Sequence, residues 1–296
     1  MHQRMRFLKY WKWVGGAAAA ASVSVVVANY YTTSASTAYT SWSPSKPSNV
    51  SESYGKWDYN WDKREPYSLV KPPKRSKSKS DSGSGDKEDD IMEQLEKRKA
   101  KATRHIFLIR HGQYNMDGDT DKERVLTELG EKQALYAGKR LKESGTEFTS
   151  FIVSNMTRAI QTSDIIFKEL NQQGLCIGAQ DPILREGSPC LPEPEAAKRL
   201  DVYYYEDGPR IEAAFRKYFH RAEPEQEKDS YEIIVCHANV IRYFVCRALQ
   251  FPGEAWLRIS LKNCSLSVLS ILPSGRVILR ALGDAGHMPS DLHTTT

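Results

Sequence analysis

The sequence predicts an α/β fold, a mainly parallel sheet covered on both faces by helices, and three observations point to it. Ile106-Phe107-Leu108-Ile109 and Ile233-Ile234-Val235-Cys236 have the length and β-branched content of strands buried on both sides. Segments with apolar residues at helical spacing alternate with such runs, as parallel strands joined by crossover helices require. Both runs end in a histidine, within Arg110-His111-Gly112 and at His237. In sheets of this kind the site lies beyond the C-terminal ends of the strands.

The 296 residues are read as one folded domain of roughly 180 residues behind a long N-terminal extension. In residues 1–31, Arg4, Arg6, Lys9 and Lys12 precede a small apolar run from Val14 to Ala28, and no acid occurs before Glu52. That run alone would make a helix of roughly 22 Å, short of the ~30 Å hydrocarbon core. With Trp11, Trp13, Tyr30 and Tyr31 it reaches roughly 31 Å and carries aromatics at both ends, as an interfacial belt requires. A single membrane anchor is therefore expected. A cleaved secretory signal is the main alternative, and a mitochondrial targeting signal shares the basic, acid-free character.

Residues 32–103 read as a low-complexity linker, because Ser, Thr, Pro, Lys and Asp dominate and cannot bury enough apolar surface. One island interrupts it, Trp57-Asp58-Tyr59-Asn60-Trp61-Asp62. Two tryptophans four apart are costly to leave in water, so the island is expected to dock on the catalytic domain or on another copy of the chain. A short helix from Ile91 to Ala102 leads into the domain, which spans residues 104–283 and leaves 284–296 as a tail.

Within the domain, Ile106 to Ile109 is the first strand. Thr127 caps a helix running to Lys142, with Ala134, Ala137 and Leu141 at helical spacing and Gly145 beyond its end. Phe151-Ile152-Val153 is a second strand. Ser154 then opens a helix reaching about Leu170, with Arg158 in its first turn. Further helices are expected from Asp207 to Phe219 and from Asn239 to Leu249, on either side of a strand from Tyr231 to Cys236. Leu266 to Leu272 and Val277 to Leu282, joined by Pro273-Ser274-Gly275, form a closing antiparallel hairpin.

The net charge of +5 is modest and no nucleic-acid-binding motif accompanies it, so nucleic acid is not an expected partner. Five cysteines without CxxC spacing read as reduced, mostly core thiols. Neither HExxH nor a P-loop occurs, and arginines beside the histidines would repel a cation, so no metal or other cofactor is expected.

Two strand-end histidines with arginines beside them suit phosphoryl transfer through a histidine. A neutral imidazole is a competent nucleophile near pH 7, which casts His111 as the group that becomes phosphorylated. Arg110 and Arg158 offer planar forks for the non-bridging oxygens. His237, expected to be protonated, holds the same oxygens, and backbone N–H groups at Ala238 and Asn239 add donors where a helix begins. The leaving alkoxide needs a proton, and Glu186 is the candidate acid; water attack on the phosphohistidine, with Glu186 returning as base, completes hydrolysis.

The chain resembles the histidine phosphatase (phosphoglycerate mutase-like) superfamily in Leu108-Ile109-Arg110-His111-Gly112, Leu126-Thr127-Glu128-Leu129-Gly130, Ser154-Asn155-Met156-Thr157-Arg158-Ala159, Leu184-Arg185-Glu186-Gly187 and His237-Ala238-Asn239-Val240-Ile241-Arg242. The resemblance implies a three-layer α/β/α sandwich, His111 as the phosphorylated nucleophile, a pocket of Arg110, Arg158 and His237, and Glu186 as proton donor. It is strongest toward the mitochondrial serine/threonine protein phosphatases of the family, through Tyr204-Tyr205-Glu206-Asp207-Gly208 and Asp229-Ser230-Tyr231-Glu232-Ile233 among other segments. By that resemblance Trp57, Asp58, Asn60, Trp61 and Asp62 form a multimerisation motif that docks on neighbouring subunits and activates catalysis. The implied partners are phosphoserine and phosphothreonine proteins (kinases among them), a second copy of the chain, and a mitochondrial membrane crossed once. After His111 the chain reads Gln113-Tyr114-Asn115-Met116-Asp117 and lacks the mutases' substrate-closing segment, which argues against sugar-acid mutase activity. A small-molecule phosphatase or mutase of the same superfamily and an oligomeric scaffold with vestigial catalysis are the rival readings.

Overall fold

Four parallel strands meet side by side at the centre of the fold, and their register decides which side chains share the site. The computed structural model describes residues 56–70, 84–195 and 204–295. The expected membrane anchor in residues 1–31 lies outside them; among the described residues no helix is long and apolar enough to cross a membrane.

In chain order the elements are α1 (Pro66–Leu69), α2 (Ser84–Lys97), β1 (Arg104–Arg110), α3 (Glu128–Glu143), β2 (Ser150–Ser154), α4 (Thr157–Leu170), β3 (Ile177–Asp181), α5 (Tyr204–Tyr218), β4 (Ser230–Cys236), α6 (Ala238–Ala248), β5 (Leu266–Ile271) and β6 (Val277–Asp284). The sheet order is β3-β2-β4-β1-β5-β6, parallel from β3 to β1, with β5 antiparallel to both β1 and β6. Alternation along each strand feeds two cores. Ile106, Leu108, Ile234 and Cys236 pack with α5 and α6, whereas Ile109, Ile233 and Val235 pack with α3 and α4 on the other face. The helices bury one stripe each, Ala134, Ala137 and Leu141 in α3 and Ile211, Ala214 and Phe215 in α5.

Most elements lie within a few residues of their expected ends, and the exceptions have local causes. Ser154 is the last residue of β2 rather than the start of a helix, and α4 begins at Thr157 with Met156 as its N-cap. The helix expected from Ile91 runs from Ser84 to Lys97 instead, so it starts inside the linker. Strand β3 was not expected, because Ile177-Gly178-Ala179-Gln180-Asp181 carries a single large apolar residue; pairing with β2 at the sheet edge makes it a strand. The expected tail also packs. Ala285 and Met288 join the α3–α4 core, and Gln133 donates to Leu292 O at 2.6 Å.

The Trp-Asp island is not free linker either; it lies on the chain's own domain. Asp58 Oδ1 accepts from Asn60 N–H at 2.8 Å and Asn60 Oδ1 from Glu65 N–H at 3.1 Å, which folds the segment into turns. Trp61 Nε1–H donates to Gly275 O at 2.7 Å, and its ring lies 5.9 Å from Phe215 of α5. Asp62 accepts from Arg221 N–H at 2.8 Å and forms a buried ion pair with the Arg221 guanidinium at 2.8 Å. Gln250 exchanges two hydrogen bonds of 2.9 Å with the Asp58 backbone.

Candidate active site

Register brings the site together. Arg110 of β1 stands opposite Cys236 of β4, and Val153 of β2 opposite Val235, so His111, His237 and Ser154 emerge at the ends of three adjacent strands. His111 N–H donates to Cys236 O at 3.0 Å, and the rings of His111 and His237 lie 5.1 Å apart. Arg158 comes from the first turn of α4 directly after β2. His111, Arg158 and His237 are all at most 3 % exposed, so the three side chains are shielded from solvent. The chain turns sharply past His111 because Gly112 and Gly130 approach closely; a Cβ on Gly112 would lie 2.6 Å from Gly130 O.

The His111 tautomer follows from its neighbours. Nδ1 faces Gly112 O at 2.8 Å, and a carbonyl only accepts, so Nδ1 carries the proton and Nε2 keeps the lone pair. Arg158 Nε–H donates to that Nε2 at 3.2 Å. Burial, reinforced by the Arg158 and Arg110 charges, pushes the His111 pKa well below its ordinary value. The ring is thus neutral and nucleophilic, with its reactive lone pair guarded by a guanidinium that a phosphoryl group can draw away.

Arg110 and Arg158 are both buried and have little anionic partnership. Arg110 Nη1 donates to Leu261 O at 2.7 Å and Thr295 O at 2.9 Å, while its Nε is buried without a partner among the described residues. Arg158 lies 4.6 Å from the Tyr114 ring centroid, and its Nη1 is 3.6 Å from Asp121 Oδ1. Burial lowers the pKa of both guanidinium groups, which nevertheless stay charged. Two buried, under-paired positive charges beside a neutral imidazole fit a dianion.

Glu186 belongs to the same constellation. Burial raises the pKa of its carboxyl against the opposing pull of the Gly187 N–H, Arg158, Arg110 and the Asn239 N–H. A carboxyl whose proton affinity is raised in this way is suited to serve as an acid. Its loop is clamped by Arg210 of α5, which donates to Ile183 O at 3.0 Å, Arg185 O at 2.6 Å and Glu186 O at 3.1 Å. Asn239, in the first turn of α6, closes the other side by donating to Gly187 O at 3.1 Å. Ala238 begins α6 and is buried beside His237, the helix N-cap.

One expectation needs correction. His237 was expected to be protonated, but burial first, then its neighbours His111, Arg158 and Arg110, push its pKa well below the ordinary value. In this site it is a neutral imidazole. Residues without an expected role also converge here. Tyr114 packs edge-on to His111 at 5.2 Å, and Asp121 accepts from Thr157 N–H and Oγ1–H at 3.1 Å each, capping α4 from a distant loop. Arg242 donates to Asn239 Oδ1 at 3.0 Å, and its buried Nε has no partner among the described residues. Its position three residues after Asn239 was the one available sequence signal, since i and i+3 share a helix face.

The chain is similar to known proteins. The chain is 55 % identical over 240 residues to the rat (Rattus norvegicus) protein named "Serine/threonine-protein phosphatase PGAM5, mitochondrial", covering 80 % of each chain. It is 55 % identical over 239 residues to the human (Homo sapiens) protein of that name, covering 80 % of this chain and 79 % of the relative. Against the Xenopus laevis protein of that name, identity is 50 % over 278 residues, covering 94 % and 95 %. The histidine phosphatase superfamily (branch 1) profile matches residues 106–188 and 203–282, over half of the chain and every residue of the pocket between His111 and Arg242, and the chain belongs to that superfamily.

Proposed function

We propose that this chain is a mitochondrial protein phosphatase that hydrolyses phosphoserine and phosphothreonine through a phosphohistidine on His111. The observation that carries the reading is the His111 ring with its proton on Nδ1 and its Nε2 facing buried Arg158, beside Arg110 and a Glu186 carboxyl whose pKa burial raises. The printed names of the relatives support the substrate class and the compartment.

The phosphoryl dianion enters between Arg110 and Arg158, whose N–H groups take its non-bridging oxygens. Arg158 Nε leaves His111 Nε2 as it turns to the anion, freeing the lone pair for in-line attack. The P–N bond forms as the P–O bond to the serine or threonine oxygen breaks, and Glu186 gives that oxygen its proton. The resulting carboxylate takes a proton from water, which attacks phosphorus and releases His111 and orthophosphate.

A single-pass anchor in residues 1–31 and self-association through Trp57, Asp58, Asn60, Trp61 and Asp62 belong to the same reading. Exchange of the Trp-Asp segment between copies would reuse the partners it has within one chain, Gly275, Arg221 and Gln250. Trp61 touches Phe215 on α5, and the same helix carries the Arg210 that holds the Glu186 loop. Trp61→Ala is therefore expected to reduce both the assembly size and kcat, the latter by roughly tenfold through a looser Glu186 loop. Light scattering and peptide turnover measure the two, and a full-size, fully active variant would remove the segment from the mechanism.

The substrate class is tested with the full chain in detergent, comparing kcat/KM for a phosphothreonine peptide and for 3-phosphoglycerate. The peptide is expected to be the better substrate. Preference for the small ester would transfer the chain to the metabolite phosphatases, and silence on both would favour a scaffold.

A further inference from the structure

Ser154 ends β2 with its side chain fully buried, one strand away from His237 at the end of β4. Its Oγ lies 2.8 Å from His237 Nε2. Met156 N–H donates to the same Oγ at 3.4 Å, so the hydroxyl already accepts one hydrogen bond. Among the described residues, no acceptor other than His237 Nε2 is bonded to that hydroxyl. The opposite ring nitrogen, His237 Nδ1, is buried and meets no hydrogen-bond partner among the described residues. It belongs to a ring whose centroid is 5.1 Å from that of His111.

We propose that Ser154 is a positioning residue that donates its hydroxyl hydrogen to His237 Nε2, placing the ring's single proton on Nδ1. Neutral His237 then presents an N–H donor to the phosphoryl group on His111. In the other tautomer Nε2–H would donate to Ser154, and the Nδ1 lone pair would confront an anion. This deepens the phosphatase reading and rests on His237 touching the transferred group.

The surroundings explain why the site selects a tautomer instead of a second proton. The groups acting on His237 are Arg110 at the end of β1, His111 just beyond it, Arg158 from α4 and Arg210 from α5. Burial opposes an imidazolium most, and the charges of Arg158, Arg110 and Arg210 oppose it further. A hydroxyl orients the proton without adding charge.

The test uses the full chain with 15N-labelled histidine, in parallel with p-nitrophenyl phosphate kinetics from pH 5.5 to 8. Nitrogen chemical shifts are expected to report His237 protonated on Nδ1, and Ser154→Ala is expected to move population to the Nε2–H form. In Ser154→Ala, kcat/KM should fall on the order of 10²-fold at pH 8, less than the roughly 10⁴-fold that a wrong tautomer costs a catalytic histidine base. The deficit should be about the same at pH 5.5, because burial and the neighbouring arginines keep His237 neutral there and the tautomer still decides the donor. Ser154→Thr keeps the hydroxyl and should recover most of the activity. An Nε2–H tautomer in the unsubstituted protein, or an Nδ1–H tautomer that persists unchanged in Ser154→Ala, would overturn the assignment. If the unsubstituted protein turned over no phosphomonoester, the phosphatase reading would fail, and the nitrogen shifts alone would still decide the role of Ser154.

Discussion

His111→Ala is expected to lose at least about 10⁴-fold in kcat/KM on every phosphomonoester, near 5 kcal/mol of transition-state stabilisation. Nothing else in the pocket can replace it. His237 is engaged through Nε2 with Ser154, and the buried cysteines stand at the end of β4 (Cys236), inside α6 (Cys246) and just before β5 (Cys264), with burial pushing the thiol pKa of all three up. The fold should survive, because His111 stands past the last residue of β1 and its ring packs against Tyr114 and His237 rather than against the apolar cores. Circular dichroism melts should therefore overlay closely while turnover vanishes. Acid-labile phosphate, trapped by rapid quench from the unsubstituted protein, should be absent from the variant. Retention of more than a hundredth of the activity would place the nucleophile elsewhere.

Glu186→Gln is expected to separate substrates by leaving group. A phosphothreonine peptide expels an alkoxide that needs a proton, so its kcat/KM should fall on the order of 10³-fold. p-Nitrophenyl phosphate expels a stable phenolate, and its kcat/KM should fall by less than about tenfold. This constant reports the step up to phosphoryl transfer, so slower hydrolysis of the phosphohistidine does not blur the comparison. The pH dependence follows from the direction of the shift. The pKa of Glu186 is raised by burial, and the acid form is the active one. Peptide kcat/KM should thus hold while Glu186 is protonated and decline as pH rises through its pKa, and Glu186→Gln should abolish that limb. The His111 pKa lies well below its ordinary value, so loss of the nucleophile's lone pair is confined to more acidic conditions. Equal losses on the two esters would remove Glu186 from the acid role.

The two effects differ in how they could be foreseen. His111 and His237 were legible because each terminates a dense apolar run, and buried parallel strands leave few other readings for such runs. Arg158 was legible from its place in the first turn of a helix. Strand β3 was not, since one isoleucine in five residues carries too little signal without the β2 edge it pairs with. The packing of residues 285–295 was equally hidden: Ala285 and Met288 enter the core without a periodic pattern, and the carbonyls that accept from Gln133 and Arg110 occur at every position.

By itself the sequence determined the α/β class, the order of most elements and the residue types that phosphoryl chemistry needs, because these depend on local periodicity and on side-chain identity. Only the tertiary structure decided the charge and tautomer of those residues. His237 is neutral rather than protonated because it is buried among arginines drawn from separate elements, and Ser154 reaches it through the register of β2 on β4. Protonation is set by the whole field at a buried point, and that field exists only after the chain has closed around it.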